Sequence, residues 1–130
     1  MPGYNRFINK QDPITTSTQF VFANNTTGLY FYYGGFNYFQ TNILPSLGQW
    51  HNLIVTYNYD GSISNSKCNF YLDGSLKNSF TTSASLLSQI SNLYIGSQDA
   101  SYNTVDGSLD ELRFYNRILS QQEITYLATH

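Results

Sequence analysis

The chain has 130 residues, 11% of them charged and 17% aromatic, with twelve Tyr, nine Phe and a formal net charge of −2. That length suits one domain with a real core, and the six scattered Lys and Arg argue against a phosphate-binding surface and against nucleic acid as a partner. Low charge with abundant aromatic, Ser, Thr and Asn residues points to a two-layer β protein rather than a disordered chain. No apolar run reaches membrane-spanning length, so no membrane insertion is expected. No signal peptide is read before the fold, so for an exported protein the expectation is a signal that was removed, lies on a longer precursor or was never needed.

In chain order, Met1 to Thr18 is polar apart from Phe7-Ile8, a short strand, and Asp12-Pro13 breaks it. Phe20-Val21-Phe22 reads as a strand, Asn24 to Gly28 as a turn and Leu29 to Tyr33 as the return strand. Gly34-Gly35 signals a two-residue hairpin, with Phe36 to Gln40 pairing back. After a loop from Pro45 to Gly48 comes a strand opening near Trp50 and running to Tyr57. Lys67 to Leu72 and Ser75 to Phe80 form a hairpin around the tight turn Asp73-Gly74. Thr81 to Ser91 is irregular, Asn92 to Gly96 is a strand, and Ser97 to Asp106 is a long polar loop. Cys68 shares a parity with Phe70 and Leu72, which makes it a buried core thiol with no disulfide or zinc role.

The stretch from Ser108 to Tyr115 alternates like a half-buried strand: Leu112 and Phe114 share a parity with Asp110, while Glu111, Arg113 and Tyr115 face the other way. A helix start follows. Ser120 is the N-cap, Glu123 completes a capping box, and Leu119 and Ile124 have the spacing of a hydrophobic staple. Ile124 and Leu127 give the helix an apolar side. About nine short strands with turn signals every eight to twelve residues indicate a sandwich or jelly roll.

Three motifs stand in register. They are Gly48-Gln49-Trp50-His51-Asn52-Leu53-Ile54-Val55-Thr56-Tyr57, then Tyr71-Leu72-Asp73-Gly74, then the run from Gly107 through Leu119-Ser120 to Glu123-Ile124. Together they resemble laminin-G-like jelly-roll domains of the concanavalin A-like lectin/glucanase superfamily, from Trp50 to Leu127. The resemblance implies an all-β jelly-roll sandwich of two antiparallel sheets with a short C-terminal helix, with Trp50 buried in its core. It also implies that the family's first strands are missing, the chain matching the C-terminal two-thirds or more of one domain. The strand at Ser108–Tyr115 would then border an open sheet edge, inviting another copy, a different subunit or the rest of a precursor to pair there.

Candidate chemistry follows. The family's glucanases carry E-x-D-x-x-E, since retaining hydrolysis needs two carboxylates close together. This chain has only Asp110-Glu111, which point to opposite faces, and Glu123, which is committed to the cap. His51 shows no partner by spacing, no Ser-His-Asp set is suggested, and no enzyme is expected. The resemblance implies a calcium ion, for which Asp99, Asp106 and Asp110 in and after the polar loop are the candidate oxygen ligands; the favoured alternative is a plain polar loop with Asp110 hydrogen-bonded to backbone, since the family's other ligands come from the opening segment expected to be missing. For carbohydrate binding the candidates are Tyr30 and Tyr32, which share one strand face, and Tyr102 with Asn103 in the loop. The expected role is a recognition or adhesion module for carbohydrate or glycoprotein, in an extracellular, cell-surface or virion setting. The alternative is a structural subunit of an assembly.

Overall fold

β-Branched and aromatic residues in alternation form the strands, and Gly- and Asn-bearing turns separate them. A computed structural model describes residues 4–12, 18–35, 37–62, 64–88, 90–99 and 102–130. It has the all-β make-up of a β-sandwich protein: two antiparallel sheets, of five and three strands, and one short C-terminal helix. Two compact units divide it, Met1–Leu44 with Ser85–Leu112, and Pro45–Ala84 with Arg113–His130.

The first unit holds the five-stranded sheet. Its strands are β1 (Asn5–Gln11), β2 (Thr18–Asn24), β3 (Leu29–Tyr33), β4 (Asn37–Gln40) and β8 (Tyr94–Ile95), in the order β4-β3-β2-β1-β8. Register sorts its residues into two kinds of face. One carries Phe22, Leu29, Phe31 and Tyr33, all buried, with the Phe7 and Phe22 rings edge-on at 5.4 Å and Tyr33 stacked on Phe39 at 4.9 Å. The other carries Val21, Ala23, Tyr30 and Tyr32. In the turn between β2 and β3, Asn25 Oδ1 accepts the Thr27 and Gly28 N–H groups at 2.8 and 3.1 Å. Gly28 is required there, because a Cβ would stand 2.5 Å from the Thr41 carbonyl oxygen. Tyr33 pairs with Asn37, so the Gly34-Gly35 hairpin has a three-residue loop instead of the two expected, and Phe36 and Pro13 lie outside the described residues.

The second unit holds β5 (Leu53–Tyr57), β6 (Lys67–Leu72) and β7 (Ser75–Thr81) in that order, and the helix α1 (Gln121–Thr129). Asp73 and Gly74, with φ of 51° and 77°, close the two-residue turn between β6 and β7. One parity of β6 brings Cys68 and Phe70 to zero exposure, as expected, and Phe80 meets Phe70 edge-on at 5.9 Å. The other parity presents Tyr71 beside Ile54, and there Leu119, Ile124 and Leu127 pack. Ser120 caps the helix in the full capping box, and the Leu119–Ile124 staple is in place. Gln121 Nε2 also donates to the Gly74 carbonyl at 2.8 Å, tying the helix to the hairpin turn.

Three expectations are corrected. Residues 108–115 form no strand among the described elements, and Leu112 and Phe114 are exposed rather than half-buried. Glu111 sits in the left-handed region at φ 53°, and Asp110 Oδ1 takes its N–H at 2.8 Å, a local bond that competes with a ladder. Trp50 is 70% exposed rather than core, because the β5 ladder begins only at Leu53. The strand expected at Asn92–Gly96 shortens to Tyr94–Ile95.

Candidate functional site

Tyr30 and Tyr32 are two residues apart on β3, so both side chains rise from one face of the five-stranded sheet. Ala23 and Val21 of β2 lie opposite them on one side, Gln40 and Tyr38 of β4 on the other. The small β2 side chains form a buried floor, on which Tyr30 is only 2% exposed while Tyr32 is half-buried. Tyr38 and Tyr4 stand up from it, 56% and 54% exposed. The rings hold one another in place: Tyr32 stacks on Tyr38 at 5.2 Å, and Tyr30 meets Tyr32 and Tyr4 edge-on at 5.4 and 6.1 Å.

With Asn25 and Gln40 these four tyrosines line a hollow of about 140 Å³. Its amides are positioned by backbone. Asn25 is fixed by the turn it caps and donates Nδ2 to Gln40 Oε1 at 2.7 Å, while Gln40 Nε2 donates to the Thr41 carbonyl at 2.9 Å. Burial pushes the Tyr30 hydroxyl up to about 12, against the pull of the Arg6 guanidinium beside it, so the phenol stays neutral and able to donate. Aromatic rings, phenol hydroxyls and amide dipoles in one small concave patch can stack on an apolar ring face and bond its hydroxyls. The volume is below that of a drug-sized pocket and suits a single ring.

The other expected site residues lie elsewhere. Tyr102 is 62% exposed in the loop before residue 106 and does not line the hollow. Asn103, at φ 51°, donates to Gln98 Oε1 at 2.7 Å, and its carbonyl accepts the Arg6 N–H at 3.2 Å, so it anchors the loop to β1. Asp99 accepts the Tyr102 N–H at 3.0 Å and, with Asn9, Gln11, Tyr94 and Gln98, borders a second hollow of about 20 Å³. Asp110 is engaged with Glu111, and the Asp106 N–H donates to Asn5 Oδ1 at 3.4 Å. Among the described residues no three His, Cys, Asp or Glu side chains gather at ion-binding spacing, Asp99, Asp106 and Asp110 included. Tyr4, Asn25, Tyr38 and Gln40 were missed in the sequence. The available signal was the hairpin at Gly34-Gly35, which sets Tyr38 against Tyr32.

His51 does have partners. Its Nδ1 lies 2.8 Å from Asp73 Oδ2 and its Nε2 2.8 Å from Ser46 Oγ. The carboxylate can only accept, so Nδ1 is the donor to Asp73, and Nε2 is within hydrogen-bond distance of the serine hydroxyl, which also reaches Gln49 Oε1 at 3.4 Å. Spacing hid this because the residues are five and 22 positions apart. Register supplies the reason: Leu53 pairs with Leu72, which leaves Asn52 beside Asp73, where the Asn52 N–H donates to the Asp73 carboxylate and the Asp73 N–H to the Asn52 carbonyl, both at 2.9 Å. Partial burial tends to raise the Asp73 carboxyl, but the bonds from His51 and Asn52 and the nearby positive charges outweigh it and hold the group low. The order Ser-His-Asp is that of a nucleophilic relay. Here, however, the carboxylate is 52% exposed and the imidazole 16%, and neither hollow borders Ser46. The arrangement fastens the hairpin turn to the entry of β5.

A profile of the concanavalin A-like lectin/glucanases superfamily matches residues 3–125, reaching well before Trp50. A search among curated proteins gave no match. Among solved structures the chain is similar, at 21% identity and a TM-score of 0.49, to a crystal structure of an S-layer domain-containing protein (its residues 221–444) from Clostridium thermocellum. That alignment covers 98% of this chain and 64% of the other, so the chain spans under two thirds of the structure it matches. By the profile match over nearly its whole length, the chain belongs to the concanavalin A-like lectin/glucanases superfamily.

Proposed function

We propose that the chain is a non-catalytic recognition module that binds carbohydrate, free or on glycoprotein, at the hollow formed by Tyr4, Tyr30, Tyr32 and Tyr38. The observation that carries this reading is the convergence of four tyrosines and two fixed amides on one sheet face. Tyr38 is the exposed ring of the stacked pair, offering an aromatic face to a pyranose, while Tyr30 keeps a neutral hydroxyl at its base. Binding to a glycan array tests it. Tyr38→Ala removes an exposed ring from an edge strand, so it should leave the fold intact and weaken binding about tenfold. Affinity unchanged by that substitution would refute the assignment. A ligand of this kind suits an extracellular, cell-surface or virion setting.

A specific observation favours a second reading, a structural subunit of an assembly. Leu109, Leu112, Phe114, Tyr115 and Ile118 are 42% to 56% exposed in a segment outside any described strand. Such a segment is suited to cover by another chain. Sedimentation at high concentration separates the readings: a monomer with Phe114→Lys behaving as wild type excludes this one.

A further inference from the structure

We infer that Ser46 is an acyl-acceptor site, a serine made nucleophilic by His51 and Asp73 and open to small activated esters or thioesters. The inference goes beyond the carbohydrate reading and is independent of it, since none of the three residues lines the tyrosine hollow. Ser46 Oγ lies 2.8 Å from His51 Nε2, and His51 Nδ1 lies 2.8 Å from Asp73 Oδ2. Both ring nitrogens are thus engaged in the order that a nucleophile, its base and an orienting carboxylate require. A carboxylate only accepts, so Nδ1 carries the hydrogen of that bond. In a neutral imidazole this leaves the lone pair on Nε2, towards the serine. Ser46 also reaches Gln49 Oε1, but at 3.4 Å, so the imidazole is the closer acceptor.

The orienting carboxylate is held from several sides. Asp73 Oδ1 accepts the Asn52 N–H at 2.9 Å, which leaves Oδ2 for the imidazole, and the Asp73 N–H donates to the Asn52 carbonyl at 2.9 Å. Its turn is packed on the helix: a Cβ at Gly74 would stand 3.0 Å from Ala128 Cβ, and Gln121 bonds the Gly74 carbonyl. The imidazole side chain is 16% exposed, whereas Ser46 is open to solvent. The base is therefore fixed and largely covered while the nucleophile is reachable. The bonds that fasten the turn also define a proton path, and exposure removes substrate selection rather than that path. Neither hollow borders Ser46, so the acyl donor has to be activated already. In the step, Ser46 Oγ attacks the carbonyl carbon and its proton passes to His51 Nε2. The bond from that carbon to the leaving oxygen or sulfur then breaks, and the leaving group takes the proton from His51 and departs as alcohol or thiol.

The test treats the folded chain with p-nitrophenyl acetate and, separately, with an alkyl fluorophosphonate, whose phosphorus bonds a serine oxygen as fluoride leaves. Peptide mass spectrometry then locates and times the modified residues. Ser46 should be modified at least about tenfold faster than the exposed Ser64, which serves as the reference serine. His51→Gln should bring Ser46 down to the Ser64 rate. Asp73→Asn still accepts the Asn52 N–H and suits the left-handed φ of 51°, so the turn persists. Its amide donates to Nδ1, however, and puts the ring hydrogen on Nε2, so modification of Ser46 should slow at least about tenfold. Gln49→Ala removes the competing acceptor and should leave Ser46 as fast as in wild type or faster. A wild-type Ser46 rate equal to that of Ser64, or a rate unchanged in Asp73→Asn, overturns the inference. Should His51→Gln not fold, the wild-type ratio and the Asp73→Asn rate still decide.

Discussion

The capping box makes a prediction that runs against the usual ranking of cap residues. Ser120 Oγ accepts the Glu123 N–H at a long 3.3 Å, whereas Glu123 Oε2 accepts the Ser120 N–H at 2.8 Å. The same carboxylate receives Arg117 in a fork, Nη1 to Oε2 at 2.9 Å and Nη2 to Oε1 at 2.6 Å. Glu123 therefore holds together Arg117, the cap and the first turn, and its charge also suits a helix N-terminus. Ser120→Ala removes only the weaker half of the box, so its cost should lie low in the N-cap range, about 0.5–1 kcal/mol. For a chain of this length that is a drop in melting temperature of about 2–4 °C. Glu123→Ala should cost more than Ser120→Ala, and Glu123→Gln should fall between them, since the amide oxygen still accepts the Ser120 N–H but loses the ionic fork. Thermal and urea melts of the three variants read this order directly. A larger loss for Ser120→Ala than for Glu123→Ala would refute the reasoning.

Two further outcomes follow from the same unit. The Arg117 side chain first, and then the Ser120 bonds, hold the Glu123 carboxyl down from 4.5 to about 2. A lowered folded value stabilises above the unfolded one, so the contribution is complete above pH 4.5 and is lost as pH falls towards about 2; the gap in melting temperature between wild type and Glu123→Gln should close across that window, and a constant gap would contradict it. Cys68 has no exposure, and burial pushes its thiol up, so a thiol reagent near neutral pH should label it only at the rate of global unfolding; fast labelling of the native protein would show that β6 opens locally.

What the sequence made legible is what local chemistry dictates. Cys68 and Phe70 announced a buried parity, Asp73-Gly74 a two-residue turn, and Ser120 with Glu123 a helix start; each depends on residues within a few positions of one another. Phe7-Ile8 marked β1, whose full extent of Asn5–Gln11 is carried by polar residues with little strand signal of their own. Of the candidate site, Tyr30 and Tyr32 were legible because alternation on one strand places them together. Tyr38, Gln40 and Tyr4 were not, because they reach the hollow through pairings between strands. Asp73 and His51 escaped notice for the same reason: Asn52 lies beside Asp73 only once Leu53 has paired with Leu72.

The segment from Ser108 to Tyr115 shows the converse, a local signal that tertiary context did not take up. Alternation predicts which side chains would share a face if the backbone were extended; it supplies no partner for the N–H and C=O groups. Here the left-handed turn at Glu111, with Asp110 bonding the same N–H, interrupts the extension midway. The apolar residues on both sides are then left in contact with solvent, Phe114 at 56% and Leu109 at 43%. A strand that another chain completes would carry this same alternation, with the neighbour rather than the local sequence supplying its ladder. The mismatch between pattern and ladder therefore locates the surface where the assembly reading has to be tested, and it lies apart in sequence from the tyrosines on which the carbohydrate reading stands. Loss of glycan binding in Tyr38→Ala with unchanged sedimentation would separate the two surfaces functionally, whereas joint loss of both would mean that the hollow is completed only in the assembled form.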